Sequence, residues 1–241
     1  MRQIDVFISS RSFSEEDVRD NIVVVIDVLR ACSSIHTALH NGCSGVIPVA
    51  ENEDAGRYAG NLDSSSLLLC GEKNGRKVEG YHLGNSPLEY TPEIVKNKTI
   101  IMKTSNGTRA ITRSHFAEKV LIASFLNVRA VAHYLKNVND RNIILVCSGW
   151  FSRLSIEDML CAGALTWNIF DQKLPDSATD GVKVAFGLYE KYKNSIAQVI
   201  KSSNHARRLA GLGFEKDIEY CSQQDLFETI PVLKEGMIIL E

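Results

Sequence analysis

The stretch Val23–His36, VVVIDVLRACSSIH, decides how the chain is read. It opens on Val23, Val24, Val25 and Ile26, a β-branched run with no polar interruption. Such a run marks a strand buried on both faces, and strands of that kind belong to sheets covered by helices. The run ends on Asp27, and Arg30 follows just before the small residues Ala31, Cys32, Ser33 and Ser34. Burying either charge alone is costly, so each needs a partner or a chemical task.

Similar segments recur on both sides of this stretch. The patterning predicts strands at Asp5–Ser9, Ile22–Val28, Gly45–Val49, Leu67–Cys70, Thr99–Lys103, Lys119–Ala123 and Asn142–Cys147. It predicts helices at Ser33–Asn41, Asn52–Asn61, Thr108–Ser114, Asn127–Lys136 and Ile156–Phe170, with a long helical stretch around Asp180–Lys201. The last segment reads as a helix, a glycine-bounded turn and a final strand. The alternation predicts an α/β fold: a layered, largely parallel or mixed sheet flanked by helices. No linker or fixed-period repeat divides the chain, so residues 1–241 are expected to form one domain, with a two-lobe division left open.

Bulk properties narrow the function. The chain has 241 residues, 44% of them hydrophobic, enough for a substantial core. A formal charge of -2 disfavours a nucleic-acid or membrane-surface binder, which is usually basic. No apolar segment reaches membrane-spanning length, and the start, MRQIDVFISS, lacks a signal-peptide core. Six widely spaced cysteines with no Cys-x-x-Cys pair suit reduced thiols, so a cytoplasmic location is expected.

Three predicted strands end in polar, small-residue turns that lead into helices: IDVLRACSS, IMKTSNGTRA and LVCSGWFSRLSIED. Ligands of open α/β sheets bind beyond the carboxyl ends of strands. If these strands are parallel neighbours, the turns converge on one site. The turn Lys103–Ala110, KTSNGTRA, offers hydroxyls, an amide and a glycine before a helix, which suits an anion such as phosphate. A tight Asn106-Gly107 turn with Thr108 as N-cap explains it equally well.

Glu72 follows the run LLLC much as Asp27 follows its own strand. Ser86-Pro87-Leu88-Glu89 fits a capping box with proline at the first helical position, which leaves Glu72 and Asn85 unexplained. Ser155 and Asp158 also fit a capping box. Yet Glu157 and Asp158 stand where they could meet Asp27 and Glu72, and carboxylates gathered so closely repel unless they are protonated or neutralised by a cation, for which Mg²⁺ beside a phosphate is the common arrangement.

Cys147 and Arg153 satisfy the C-x₅-R spacing of cysteine phosphatases, although Trp150 and Phe151 would crowd such a loop. His36 and His40 read as a surface pair, and His205 with Arg207 and Arg208 as a solvated helix face, with contact to an anion as the alternative. Leu29 replaces the second aspartate of a D-x-D motif, which argues against a dehalogenase-type phosphatase.

Taken in series, VVVIDVLRACSSIHTAL, GEKNGRKVEGYHLGNSP, TSNGTRAI, ASFLNVRAVA, VCSGWFSRLSIEDMLCAGAL and DIEYCSQQDLFETIP resemble the ComB family, the 2-phosphosulfolactate phosphatases. The resemblance covers nearly the whole chain. It implies a Mg²⁺-dependent phosphatase that converts 2-phospho-3-sulfolactate to 3-sulfolactate on the route to coenzyme M, on an α/β fold unlike the better-known phosphatase folds. The family pattern falls on Asp27, Arg30, Glu72, Asn85, Ser86, Thr104, Asn106, Gly107, Thr108, Asn127, Glu157 and Asp158, and more weakly on Asp217.

The resulting expectation has Asp27, Glu72 and one or both of Glu157 and Asp158 holding Mg²⁺. Arg30 pairs with phosphate or sulfonate. Asn85, Ser86, Thr104, Asn106, Gly107, Thr108 and Asn127 form the substrate cradle. Asp27, Arg30 and Asp158 carry the catalysis, with attack by water or through a covalent intermediate on Asp27 both open. The expected partner is a small anionic phosphorylated substrate, with no nucleic acid, no membrane, and a homodimer by analogy with how often such enzymes pair. A cysteine phosphatase using Cys147 and Arg153, or a non-catalytic phosphometabolite binder, stand as alternatives.

Overall fold

A computed structural model describes residues 3–51, 66–138 and 141–241; the helix expected at Asn52–Asn61 lies outside the described residues. The strands are β1 (Ile4–Phe7), β2 (Ile22–Ile26), β3 (Gly45–Val49), β4 (Leu67–Lys73) and β5 (Arg76–Lys77), then β6 (Thr99–Lys103), β7 (Lys119–Ala123), β8 (Ile143–Cys147), β9 (Pro231–Lys234) and β10 (Met237–Leu240). The helices are α1 (Glu15–Val18), α2 (Ala31–His40), α3 (Pro92–Val95), α4 (Gly107–Arg113) and α5 (Val128–Asn137), then α6 (Ile156–Ile169), α7 (Asp180–Tyr192), α8 (Ile196–Ser202), α9 (Asn204–Ala210) and α10 (Glu215–Cys221).

All ten strands join one mixed sheet in the order β1-β8-β2-β7-β9-β10-β3-β6-β4-β5. Strands β1, β8, β2 and β7 are mutually parallel, and so are β3, β6 and β4. The hairpin β9–β10 stitches the two blocks, antiparallel to β7 on one side and to β3 on the other. Its two-residue turn has positive φ at both Glu235 and Gly236 (50° and 82°), the twist that matches the flanking strands.

The final strand expected from the sequence is therefore a hairpin, and β6 is not a neighbour of β2. Counted in the sheet, the two blocks run in opposite directions. Neighbouring strands rotate by roughly 20–25°, so the five steps from β2 to β6 accumulate on the order of 100°. The turns after β2 and β6 nevertheless line one cavity.

Every residue of β2 is buried. Val23 and Val25 pack with Cys32 and Ile35 of α2 on one face, while Ile22, Val24 and Ile26 join the cluster containing Met159 and Leu160 of α6 on the other. Each such side chain stabilises the fold by about 1.5–3 kcal/mol. Helix α2 is buried from Ala31 to Leu39. Its small polar residues sit in the core because each finds a carbonyl: Ser33 Oγ donates to Val28 at 2.9 Å and Ser34 Oγ to Asn85 at 2.8 Å. His36 is buried with it, which corrects the expected surface pair; His40 remains exposed.

The long helical stretch breaks at residues 193–195, where Ser195 leaves the helical region at φ -140°. Asn194 and Ser195 are residues whose side chains compete for backbone partners. Helices α7 and α8 result, and α9, which carries His205, follows directly after Ser203.

Candidate active site

Asp27 stands just past β2, where the chain turns into α2. Its Oδ1 accepts the Ala31 N–H at 3.1 Å. The α4 start comes so close that a Cβ on Gly107 would lie 2.6 Å from Asp27 Oδ2 and 2.5 Å from Ala31 Cβ. Glycine is required there by space. Burial, against the opposing pull of His205 and the Ala31 hydrogen bond, raises the Asp27 carboxyl to about 6, with the charges of Glu72 and Glu157 adding to the rise.

Glu72 links two turns. Its Oε1 accepts the Ser105 N–H and its Oε2 the Gly75 N–H, both at 2.7 Å. The carboxylate is thereby aimed at the same cavity that Asp27 lines.

Arg30 is fixed on three sides. Its Nη1 donates to Asp217 Oδ2 at 2.6 Å, its Nη2 donates to the Gly75 carbonyl at 2.9 Å, and its Cζ lies 4.1 Å from the Phe214 ring centre. Ser86 Oγ donates to the other Asp217 oxygen at 2.7 Å. Ser86 therefore does not cap the short turn after it, contrary to the capping-box alternative; its hydroxyl is spent on orienting the aspartate that orients Arg30.

The Thr104–Thr108 turn is locked by reciprocal bonds: each threonine hydroxyl accepts the other's N–H, at 3.0 and 3.1 Å. Thr108 is thus a brace buried behind the wall, while Thr104, Ser105, Asn106 and Arg109 face the cavity. The Asn106 side chain makes no capping bond to α4. Asn85 also lines the cavity, and its buried Oδ1 has no hydrogen-bond partner among the described residues.

The two carboxylates of α6 part company. Asp158 Oδ1 accepts the Val28 N–H at 2.9 Å and Oδ2 the Gly149 N–H at 3.1 Å, so it pins the turns after β2 and β8 together. It is not on the cavity wall. Burial, then the charges of Asp27 and Glu157, push its carboxyl well above the usual range. Glu157 Oε1 instead meets His205 Nδ1 at 3.2 Å. Burial opposes its ionisation, but the His205 contact outweighs that and holds Glu157 below the ordinary value. Its Oε2 is buried without a partner among the described residues.

His205 lines the cavity, and its ring stacks on Trp150 at 5.4 Å and 14°. The Glu157 bond takes Nδ1, and Nε2 has no hydrogen-bond partner among the described residues. His205 is a cavity residue that the sequence reading did not place in the site. Its signal was the basic cluster His205–Arg208, read as a solvated face because the Glu157 partner lies 48 positions away. Asn127, expected in the cradle, sits elsewhere: its Oδ1 accepts the Ser124 N–H at 3.0 Å and its Nδ2 donates to Ile122 at 3.2 Å, closing a capping box after β7.

The cavity encloses about 240 Å³. Among the described residues, no three His, Cys, Asp or Glu side chains gather closely enough to form a ready-made metal centre. The four-carboxylate cluster drawn from the sequence is not assembled, because neither Asp158 nor Glu157 lines the cavity. Asp27 and Glu72 remain. Two carboxylates with the unpaired Asn85 oxygen are a donor set of hard oxygens that fits Mg²⁺, which keeps several waters and needs no all-protein cage.

Cys147 is fully buried against Met159, with Sγ 3.7 Å from the thioether sulfur. Burial, and then the nearby Asp158, push its thiol well above the ordinary range. A thiol kept protonated inside the core does not suit the nucleophile of a cysteine phosphatase.

A family model described as 2-phosphosulpholactate phosphatase matches residues 7–236. The chain is 47% identical over 218 residues to a protein of Thermotoga petrophila, covering 90% of this chain and 91% of that one. It is 43% identical to a protein of Caldanaerobacter subterraneus subsp. tengcongensis, covering 94% of this chain and 93% of the relative. With a Clostridium acetobutylicum protein it shares 39% identity, covering 98% of this chain and all of the other. All three relatives are named probable 2-phosphosulfolactate phosphatase.

Proposed function

Because the chain belongs to the 2-phosphosulpholactate phosphatase family, we propose that it hydrolyses 2-phospho-3-sulfolactate to 3-sulfolactate and phosphate with the aid of Mg²⁺. The observation that supports this reading is the convergence of Asp27, Glu72, Arg30, the Thr104–Asn106 turn and His205 on one cavity. Asp27 and Glu72 would hold the ion. When bound, it would offset the charge of the phosphate and polarise the phosphoryl oxygens.

The chain's own residues do the rest. Arg30 meets the phosphate with a guanidinium already oriented by Asp217 and Phe214, so little freedom is lost on binding. Asn85 and the Thr104–Asn106 turn complete the polar wall. As water oxygen bonds to phosphorus and the bond to the ester oxygen breaks, the water's proton passes to a carboxylate of the site. His205, oriented through Nδ1 by Glu157, gives a proton from Nε2 to the departing ester oxygen.

No helix among the described residues is long and apolar enough to cross a membrane. A cytoplasmic location, a place on the route to coenzyme M and a homodimeric state belong to the same proposal.

The test is phosphate release from 2-phospho-3-sulfolactate by the purified protein with Mg²⁺, with excess EDTA, and after thiol alkylation. Turnover that stops in EDTA, returns with Mg²⁺ and survives alkylation is expected. Turnover in EDTA that dies on alkylation would return the reaction to Cys147. Binding without turnover under any condition would leave a phosphometabolite-binding protein.

A further inference from the structure

Four arginines reach the cavity: Arg11, Arg30, Arg109 and Arg208. Two of them are compensated. Arg30 pairs with Asp217 at 2.6 Å, and Arg109 faces Glu51 at 3.9 Å. Arg11 and Arg208 face the cavity with no carboxylate partner among the described residues. His205 is likewise matched by Glu157. If a divalent ion balances Asp27 and Glu72, these two guanidinium groups are the charge left for a ligand.

Arg208 is the better organised of the two. Its Nη2 donates to the Asn74 carbonyl at 2.9 Å, and its Cζ lies 5.8 Å from the Phe151 ring centre. Phe151 is 61% exposed, an unusual position for a phenyl ring, and lies at φ 49° beside Ser152 at φ 59°. Two successive left-handed residues other than glycine are uncommon; here they set that ring beside the guanidinium. Arg208 also lies three residues after His205 on α9, so the two side chains share one face about a helical turn apart. A ligand whose ester oxygen meets His205 has the Arg208 guanidinium about one helical turn away.

We propose that Arg208 is the specificity-determining residue of this site and reads an acidic group, a sulfonate in the favoured substrate, on the carbon next to the phosphorylated one. This assignment rests on the phosphatase reading above for its substrate, but its contact is made equally with the dephosphorylated product. Arg11, more exposed and less fixed, adds attraction at the entrance.

The experiment compares wild type with Arg208→Gln and Arg208→Lys in two assays. The first measures kcat/KM for 2-phospho-3-sulfolactate and for 2-phospholactate, which lacks the sulfonate. Wild type should favour the sulfonated substrate at least tenfold. Arg208→Gln should lose roughly 10- to 100-fold on it through KM, and less than about threefold on 2-phospholactate. Arg208→Lys should recover part of the loss. The second assay titrates 3-sulfolactate and lactate into each protein by calorimetry, with circular dichroism confirming the fold.

Equal losses on both substrates, or a wild type indifferent to the sulfonate in both assays, would overturn the assignment. A wild type that binds 3-sulfolactate through Arg208 yet releases no phosphate would sustain it and overturn the phosphatase reading instead.

Discussion

Arg30 and Asp217 stand 187 positions apart in the chain and 2.6 Å apart in the fold, both buried. The pair ties the turn after β2 to helix α10, and Ser86 Oγ holds its other end. Removing one partner of such a pair leaves a charge stranded away from water. Asp217→Ala is therefore expected to lower stability by about 3–5 kcal/mol and Tm by on the order of 10 °C. Activity should fall with it because Arg30 loses its aim. A thermal melt and kcat/KM on the same preparation check both; an unchanged Tm would mean that the pair contributes nothing to the folded state.

Gly107→Ala tests the close approach of α4 to Asp27. The added methyl would meet Asp27 Oδ2 and Ala31 Cβ well inside van der Waals contact. Overpacking of this kind costs about 1–3 kcal/mol, more than alanine gains in a helix. The displaced carboxylate should cost at least about tenfold in kcat. Full activity in the variant would place Asp27 outside the reaction.

Glu157→Gln keeps the shape beside His205 and removes the charge. Since Glu157 is held below the ordinary carboxylate value, wild type carries that charge at neutral pH. We expect kcat to drop about 10- to 100-fold while KM changes little, the range usual for loss of acid–base assistance. The loss should shrink for an aryl phosphate, whose leaving oxygen needs no proton. An equal loss on both esters would make the dyad structural.

His36 predicts a pH-dependent stability term. Its Nε2 meets Thr229 Oγ1 at 2.9 Å, its Nδ1 has no partner among the described residues, and Phe227 lies 4.5 Å from its ring. Burial, helped by His40, lowers its pKa from 6.5 to about 3. Below pH 6.5 the unfolded chain takes up a proton that the folded protein refuses until about pH 3. Stability is therefore present above 6.5 and is lost as pH falls, by up to about 1.4 kcal/mol per unit. Asp27, raised to about 6, works in the opposite sense in metal-free protein. Urea unfolding of wild type and His36→Gln isolates the histidine. The difference between them should move by about 1.4 kcal/mol in the variant's favour from pH 7.5 to 5.5. A difference that does not change with pH would show that His36 titrates normally.

Gly45–Val49, Thr99–Lys103 and Lys119–Ala123 are strands in the structure with the bounds expected from their apolar runs. These features are local: β-branched residues, caps and glycines bias the backbone within a few positions whatever surrounds them. The same locality made Asp27, Glu72 and the KTSNGT turn visible, because a polar group at the end of a buried run is costly without a task. The Ser155 cap on Asp158 was legible too, at 3.4 Å from hydroxyl to amide.

What the local signals could not settle was decided by sheet order. The C-terminal hairpin enters between β7 and β3 and reverses one block against the other, and the turns after β2 and β6 line one cavity across it. Pairing at that range depends on which surfaces remain to be buried once every other strand is placed, and no short window contains that information. It is this arrangement that sets Asp158 on two backbone amides, gives Glu157 to His205 and closes Asp217 onto Arg30. The residue types of an anion site are thus written in the chain itself, while the division of its carboxylates between substrate chemistry and support belongs to the tertiary structure.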